Sequence, residues 1–312
     1  VSIDTPSLSE LPDPPPGKTG WPWTEQSDVL PETQPDGTSW PKISIVTPSY
    51  NQGEFVKETI RSVLLQGYPN LEYIVVDGVS TDETVSTLEK YDSWIDDWVS
   101  EPDRGQSHAI NKGFRKASGV ILGWLNSDDY LAPDALRHMA GAFHRAGSEV
   151  GAIVGVGHKI NRTGEIVYTP DISEPSFEAF LDWMGEGNFM QPACFFRRQA
   201  WKECGPLRED LKYPMDVDLW LKIAREYDFG RVDETIAYAY EHEGAKTTGE
   251  RPRMRAETIK LIVEHGGREV AWRELDRMAE DLADAHQKID YIKSTSLYRY
   301  VIGPLYRAFW RE

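Results

Sequence analysis

Four apolar runs between Ile43 and Leu125 each end in a cluster of oxygen-bearing side chains, and this repeated junction limits the fold more than any other feature. The sharpest is Val120-Ile121-Leu122-Gly123-Trp124-Leu125, followed at once by Asn126-Ser127-Asp128-Asp129. Ile43 to Thr47 leads into Pro48-Ser49-Tyr50-Asn51-Gln52-Gly53, and Tyr73 to Val76 leads into Asp77-Gly78-Val79-Ser80-Thr81-Asp82. Ile95 to Val99 leads into the polar stretch from Glu101 to His108. Helical stretches lie between these runs. Phe55, Ile60, Val63 and Leu64 share one helical face, Thr81-Asp82 caps a helix through Lys90, and Ser107 to Lys116 forms a third. Near-continuous apolar strands alternating with helices predict an α/β chain with a doubly wound, mostly parallel sheet. In such sheets ligands bind beyond the carboxyl ends of the strands. One polar turn is punctuation, whereas four on one edge build a site. Carboxylates there suit a hard divalent cation, and such a cation suits a diphosphate.

The remainder is less regular. Residues 1–40 are rich in Pro, Ser, Thr and acids and read as an extended arm, which Trp21, Trp23 and Trp40 are expected to pin onto the folded body. Ala152 to Ile160 and Glu165 to Tyr168 flank a hairpin turn at Asn161-Arg162-Thr163-Gly164. Ser176 to Met184 reads as a helix, Ala193 to Phe196 as a short strand and Asp216 to Tyr227 as a helix. The expected organisation is an arm (1–40), a body (41–250) with a first half (41–130) and a second half (131–250) that carries added antiparallel strands and builds the other side of a cleft, and C-terminal helices (251–312). Leu275, Met278, Leu282, Ala285, Ile289 and Ile292 alternate at spacings of three and four. Such an a/d seam fits either a helix packed on its own domain or a homodimer through 275–292. Residues 297–310 mix aromatic and aliphatic side chains with arginines, a composition suited to peripheral contact with an anionic membrane, although Pro304 would break a helix there.

Composition narrows the function classes. A formal net charge of −17 argues against a nucleic-acid surface, which needs clustered Lys and Arg, but leaves room for one phosphate ligand held locally. Cys194 and Cys204 are too few for a disulfide framework and fit a reducing compartment. No apolar stretch is long enough to span a bilayer, and no basic segment leads into an apolar core at the N-terminus. A cytoplasmic location is therefore expected, with the inner membrane face as an alternative. Neither a Walker sequence nor GxGxxG follows the first strand.

Ile45-Val46-Thr47-Pro48-Ser49-Tyr50-Asn51, Val75-Val76-Asp77-Gly78 with Ser80-Thr81-Asp82, Asn126-Ser127-Asp128-Asp129 and Met215-Asp216-Val217-Asp218-Leu219-Trp220-Leu221 occur in an order that resembles glycosyltransferase family 2. The resemblance covers roughly Lys42 to Glu250 and implies a GT-A fold and an inverting nucleotide-sugar transferase. It implies that Pro48, Tyr50 and Asn51 line the nucleotide pocket and that Asp77 accepts from base or ribose. Asp82 would be a ligand or a helix cap, and Arg104 would approach the phosphates or form a surface ion pair. Asn126 and Ser127 would also border the nucleotide. Asp128 would hold a divalent cation, Mn²⁺ or Mg²⁺, with His242 close by; Asn126 stands where the family has a first Asp and still offers an oxygen. Asp216 matches the general base, although Met215 replaces the usual preceding Glu. Ile110 stands where relatives carry Arg, leaving His108, Lys112 or the metal to supply positive charge. Trp124, Asp129, Gln191 and Asp218 are the candidates for sugar and acceptor contacts.

The chemistry explains why such groups are needed. Departure of a diphosphate develops negative charge, which a cation stabilises. The acceptor hydroxyl must lose its proton as the anomeric bond forms, which a carboxylate within hydrogen-bonding reach provides. The expected activity is non-processive transfer of one sugar, with a UDP-sugar the favoured donor, to a glycan or lipid-linked acceptor in cell-surface polysaccharide synthesis. Two alternatives are a sugar nucleotidyltransferase, which would need a Gly-rich basic loop after the first strand, and a non-catalytic nucleotide-sugar-binding scaffold.

Overall fold

The computed structural model describes residues 5–170, 173–241 and 250–295. Its framework is a nine-stranded sheet with strands in the order β3-β2-β1-β4-β8-β6-β9-β5 and β7 paired to β6. The parallel part comprises β1 (Ile43–Ser49), β2 (Leu71–Asp77), β3 (Asp97–Ser100) and β4 (Ile121–Trp124). Between them run α1 (Val56–Leu64), α2 (Thr84–Tyr91) and α3 (Gln106–Lys116). Every residue of β1 is buried, as expected of a central strand covered on both faces. Ser49 pairs with Asp77 and Asp77 with Ser100, so the polar turns leave from one edge. The third strand starts later than Ile95, because a 3₁₀ turn at Asp92–Trp94 delays pairing until Asp97 meets Ile74.

Five further strands, paired in both directions, extend the sheet. They are β5 (Asp129–Leu131), β6 (Val150–Ile160), β7 (Ile166–Tyr168), β8 (Cys194–Arg197) and β9 (Asp228–Tyr240). β8 runs antiparallel to β4 with Gly123 opposite Phe195, so Cys194 begins at the carboxyl end of β4. The helices here are α4 (Ala135–Arg145), α5 (Phe177–Leu181), α6 (Arg198–Cys204) and α7 (Met215–Glu226). The pattern reading leaves out β5, α4, α6 and β9 and overextends α5. That helix ends at Leu181 because Gly185 and Gly187 fold back to donate to the Asp182 carbonyl. The chain forms two compact units, one through Thr258 and one from Ile259. Past the body come α8 (Arg251–Glu264) and α9 (Arg268–Ser294). Among the described residues no helix is long and apolar enough to cross a membrane, and residues 297–310 lie outside them.

The arm lies against the body. Leu11, Trp23 and Trp40 are buried. Trp21 Nε1 donates to the Leu131 carbonyl (2.7 Å), and the main chains of Ser27 and Leu30 donate to Leu65 and Gly67. Gly67 has φ +61°, and a Cβ there would lie 2.4 Å from the Asp28 carbonyl oxygen, so only glycine allows this approach. Beneath the arm, Arg61 of α1 is fully buried and donates to the carbonyls of Pro12, Pro22 and Trp23.

Candidate active site

The turns after β1 and β2 are stitched into one unit. Asp77 is fully buried: one carboxylate oxygen accepts the Ser80 hydroxyl, the other accepts Ser80 N (2.9 Å) and Ser100 Oγ (2.6 Å). The Asn51 main chain donates to Ser80 Oγ (2.7 Å), while its side-chain oxygen accepts Thr81 N (2.8 Å). Asp82 caps α2 through Thr84 N (3.0 Å) and also accepts Gly53 N (2.8 Å), so it both starts a helix and ties down the first turn. Pro48 stands in β1 opposite Val76. Tyr50 is 61% exposed beside Gly78, where a Cβ would lie 2.6 Å from Asp103 Oδ2 and 3.4 Å from the Tyr50 ring. A flat exposed ring beside bare main chain offers a stacking surface for a base. Ser49 Oγ is buried at this edge without a hydrogen-bond partner among the described residues.

Val79, in the same turn, has φ +64°, a conformation that a β-branched residue adopts at a cost of roughly 1–2 kcal/mol. Val79→Gly relieves it but adds freedom to the unfolded chain, so the expected net gain is about 0.5–1 kcal/mol. Urea unfolding checks this; a less stable variant would show that the Val79 side chain makes contacts worth more than the strain.

The turn after β4 centres on Asn126. Its side-chain oxygen accepts Trp124 Nε1 and Gln106 Nε2, both at 2.7 Å, and its amide donates to Asp129 Oδ2 (2.9 Å) and Gln191 Oε1 (3.3 Å). In this arrangement two donors engage the Asn126 oxygen. Gln191 in turn donates to the Trp124 carbonyl (2.8 Å). Thr59 of α1 donates to the carbonyls of Ser127 (2.9 Å) and Asp129 (2.7 Å), fixing the turn from below. Asp128 is half-buried, whereas Ser127 and Asp129 are buried. Burial and the neighbouring Asp128 charge push the Asp129 carboxyl well above the carboxylate range.

The basic candidates are already committed. Arg104 donates to Glu209 through Nε (3.0 Å) and Nη2 (2.6 Å), a surface ion pair reaching the loop before α7. His108 Nδ1 accepts the Arg104 main chain (3.2 Å), and burial with the adjacent guanidinium holds its pKa down. Both effects disfavour its charged form. Lys112 pairs with Glu101 (2.9 Å) and donates to the Pro102 carbonyl.

Asp216 sits in the first turn of α7, half-buried, and accepts Val217 N (2.8 Å). Burial raises its pKa to about 6. Burial, with a smaller contribution from the Asp216 charge, raises the pKa of the Cys194 thiol, which starts β8 beside the carboxyl end of β4. Asp77 and the Asp128 turn share this edge. Glu257 of α8 accepts the main chains of Lys212 (3.1 Å) and Tyr213 (2.8 Å), holding the segment that leads into α7. Asp218 is buried against Lys222 (2.6 Å), and Trp124 is also buried. His242 lies outside the described residues. Glu257, Thr59, Gln106 and Glu209 escape pattern reading, since a polar residue in a helix or loop carries no local mark of its partner.

Among the described residues no group of three or more His, Cys, Asp or Glu side chains is arranged to hold a metal. The donor set instead fits a cation that takes one or two carboxylates and completes its shell with diphosphate oxygens and water. The adjacent carboxylates of Asp128 and Asp129 repel, which such a cation relieves.

A parallel four-stranded edge carrying an acid turn, extended by strands of both directions, has the architecture of a GT-A glycosyltransferase. Residues 44–205, just over half of the chain, match the family Glycosyl transferase family 2, and the chain belongs to it. It is 38% identical over 104 residues to the putative teichuronic acid biosynthesis glycosyltransferase TuaG of Bacillus subtilis, a match covering 32% of this chain and 41% of TuaG. It is 29% identical over 195 residues to an uncharacterized glycosyltransferase of Rickettsia typhi, covering 59% of each. The chain thus spans well under two thirds of these relatives. The fold is similar to Staphylococcus aureus TarS 1-349 in complex with UDP-GlcNAc (TM-score 0.58, 20% identity, 72% of this chain and 66% of that one). It is also similar to the mannosyltransferase PcManGT of Pyrobaculum calidifontis in complex with GDP-Man and Mn²⁺ (TM-score 0.52, 20% identity, 92% and 91%).

Proposed function

We propose that this chain transfers one sugar from a nucleotide-diphosphate donor to a hydroxyl acceptor with inversion, Asp216 being the general base. The observation that carries the reading is a half-buried carboxyl that burial raises to about 6, within electrostatic reach of Cys194, whose strand starts beside the carboxyl end of β4. At neutral pH Asp216 is ionised yet basic enough to take a proton from an acceptor hydroxyl. Tyr50 stacks the base, and the loop unit braced by Asp77 and Asn51 shapes its pocket. Asp128 holds a divalent cation, with Asp129 behind it; when bound, that cation neutralises charge developing on the departing diphosphate. A single base opposite the leaving group favours one displacement and hence inversion. UDP-sugars are the first choice of donor, given the TarS complex, and the TuaG name supports an acceptor in polysaccharide synthesis.

The test is donor turnover with UDP-GlcNAc, other UDP-sugars and GDP-Man, with manganese and with chelator. Manganese-dependent release of nucleotide with inverted product is expected; nucleotide binding without turnover on any donor and acceptor would sink the reading. A narrower prediction concerns Asp128. UDP with manganese at ~100 times its Kd stabilises the folded protein by about 2.7 kcal/mol. Asp128→Asn should lose most of the manganese-dependent part in thermal shift, and an unchanged increment would remove Asp128 from the cation site.

A further inference from the structure

The seam on α9 is bare. From Asp276 to Ser294 every residue is exposed apart from the half-buried Met278. Leu275, Leu282, Ile289 and Ile292 are 43%, 60%, 47% and 51% exposed. An apolar stripe on a solvated helix gains little by itself, since most helical stability in proteins comes from packing such a face. We propose that this face is a self-association surface on which α9 of a second copy docks antiparallel.

Two independent features of the heptad select that partner and direction. The first is volume. In a parallel pair each layer meets its own copy, so Ala285 faces Ala285 and leaves a void. In an antiparallel pair a-positions meet d-positions: Leu275 faces Ile292, Met278 faces Ile289, and Leu282 faces Ala285. The one small seam residue, Ala285, then always meets Leu282, and no layer carries alanine from both copies. The match is symmetric about the midpoint between Ala283 and Asp284, as a two-fold axis requires.

The second feature is charge. Flanking positions set orientation in coiled coils. A parallel pair brings Lys288 against Lys293 of the other copy, twice by symmetry. The antiparallel pair brings Asp281 against Lys288, again twice, and sets Lys293 over Trp272, which is 67% exposed. Like charges are removed and opposite charges gained by the same reversal.

The test uses the full chain. Light scattering across a concentration series should show mass rising toward twice the chain mass, and Leu282→Glu should abolish the rise while leaving the circular dichroism of the body intact. Leu275→Cys and Ile292→Cys proteins, mixed and oxidised, should form the mixed disulfide. Lys288→Glu should weaken association about three- to tenfold, and adding Asp281→Lys should restore it. A chain that stays monomeric at every concentration, a trimer or tetramer, or disulfides only between like variants would overturn the proposal.

Discussion

Asp216→Asn is expected to slow transfer by about 10²–10⁴ while leaving nucleotide-sugar binding in place. The same variant is expected to be more stable than the parent at pH 8. The two effects come from one cause. The Asp216 carboxyl titrates near 6 because burial opposes its charge, against 3.8 for an ordinary solvated aspartate. A group whose pKa is raised on folding makes its full contribution to stability below the unfolded value and loses it as pH rises through the folded value. The parent therefore carries a penalty that grows from about pH 4 to pH 6 and persists above. At 1.36 kcal/mol per unit, discounted for the partial exposure of Asp216, this is about 2 kcal/mol. Asparagine carries no charge and avoids it. Denaturant unfolding at pH 8 should show the gain, and at pH 4 parent and variant should coincide.

The rate should follow the same titration. Below about pH 6 Asp216 is protonated and cannot accept a proton, so kcat/KM should fall on the acid side with an apparent pKa near 6. Near-normal turnover in Asp216→Asn would remove Asp216 as base. Loss of both turnover and stability at pH 8 would instead mark it as a structural residue.

The parallel half was legible because its physics is local. Strands covered on both faces must be apolar throughout, as β1 is, and ends that face a ligand must be polar, as the Asn126 turn is. β9 hides for the opposite reason. Asp-Phe-Gly-Arg-Val-Asp-Glu-Thr-Ile-Ala-Tyr-Ala-Tyr keeps no clean alternation, because its pairing with β6 shifts register several times. α4 does carry a helical spacing in Leu136, Met139, Ala140 and Phe143, with Gly147 just past its end, but its start at Asp134 makes no side-chain cap hydrogen bond to mark it. In the site, Asp128 and Asp216 stand out through motif spacing. The occupied oxygen of Asn126 and the committed Arg104 depend on Gln106 and Glu209, whose partners are far away in the chain.

Arg61→Ala is expected to cost about 3–5 kcal/mol, a larger stability change than that of Val79→Gly or Asp216→Asn. The guanidinium is fully buried and donates to the carbonyls of Pro12 (2.8 Å), Pro22 (2.9 Å) and Trp23 (3.0 Å), with the Trp23 ring 5.6 Å away. Truncation leaves three acceptors unpaired and a cavity beneath the arm. Lysine is no remedy, since a point charge cannot serve three carbonyls arranged around a planar fork. The loss should reach the site as well. Arg61 is two residues from Thr59, which holds the Asp128 turn, and the arm bonds β5 through Trp21. Limited proteolysis should therefore cut within residues 5–40 before the body, and manganese-dependent nucleotide binding should weaken alongside. A variant that unfolds within about 1 kcal/mol of the parent, with the arm still protected, would show that the arm is held by its tryptophans and not by this buried cation.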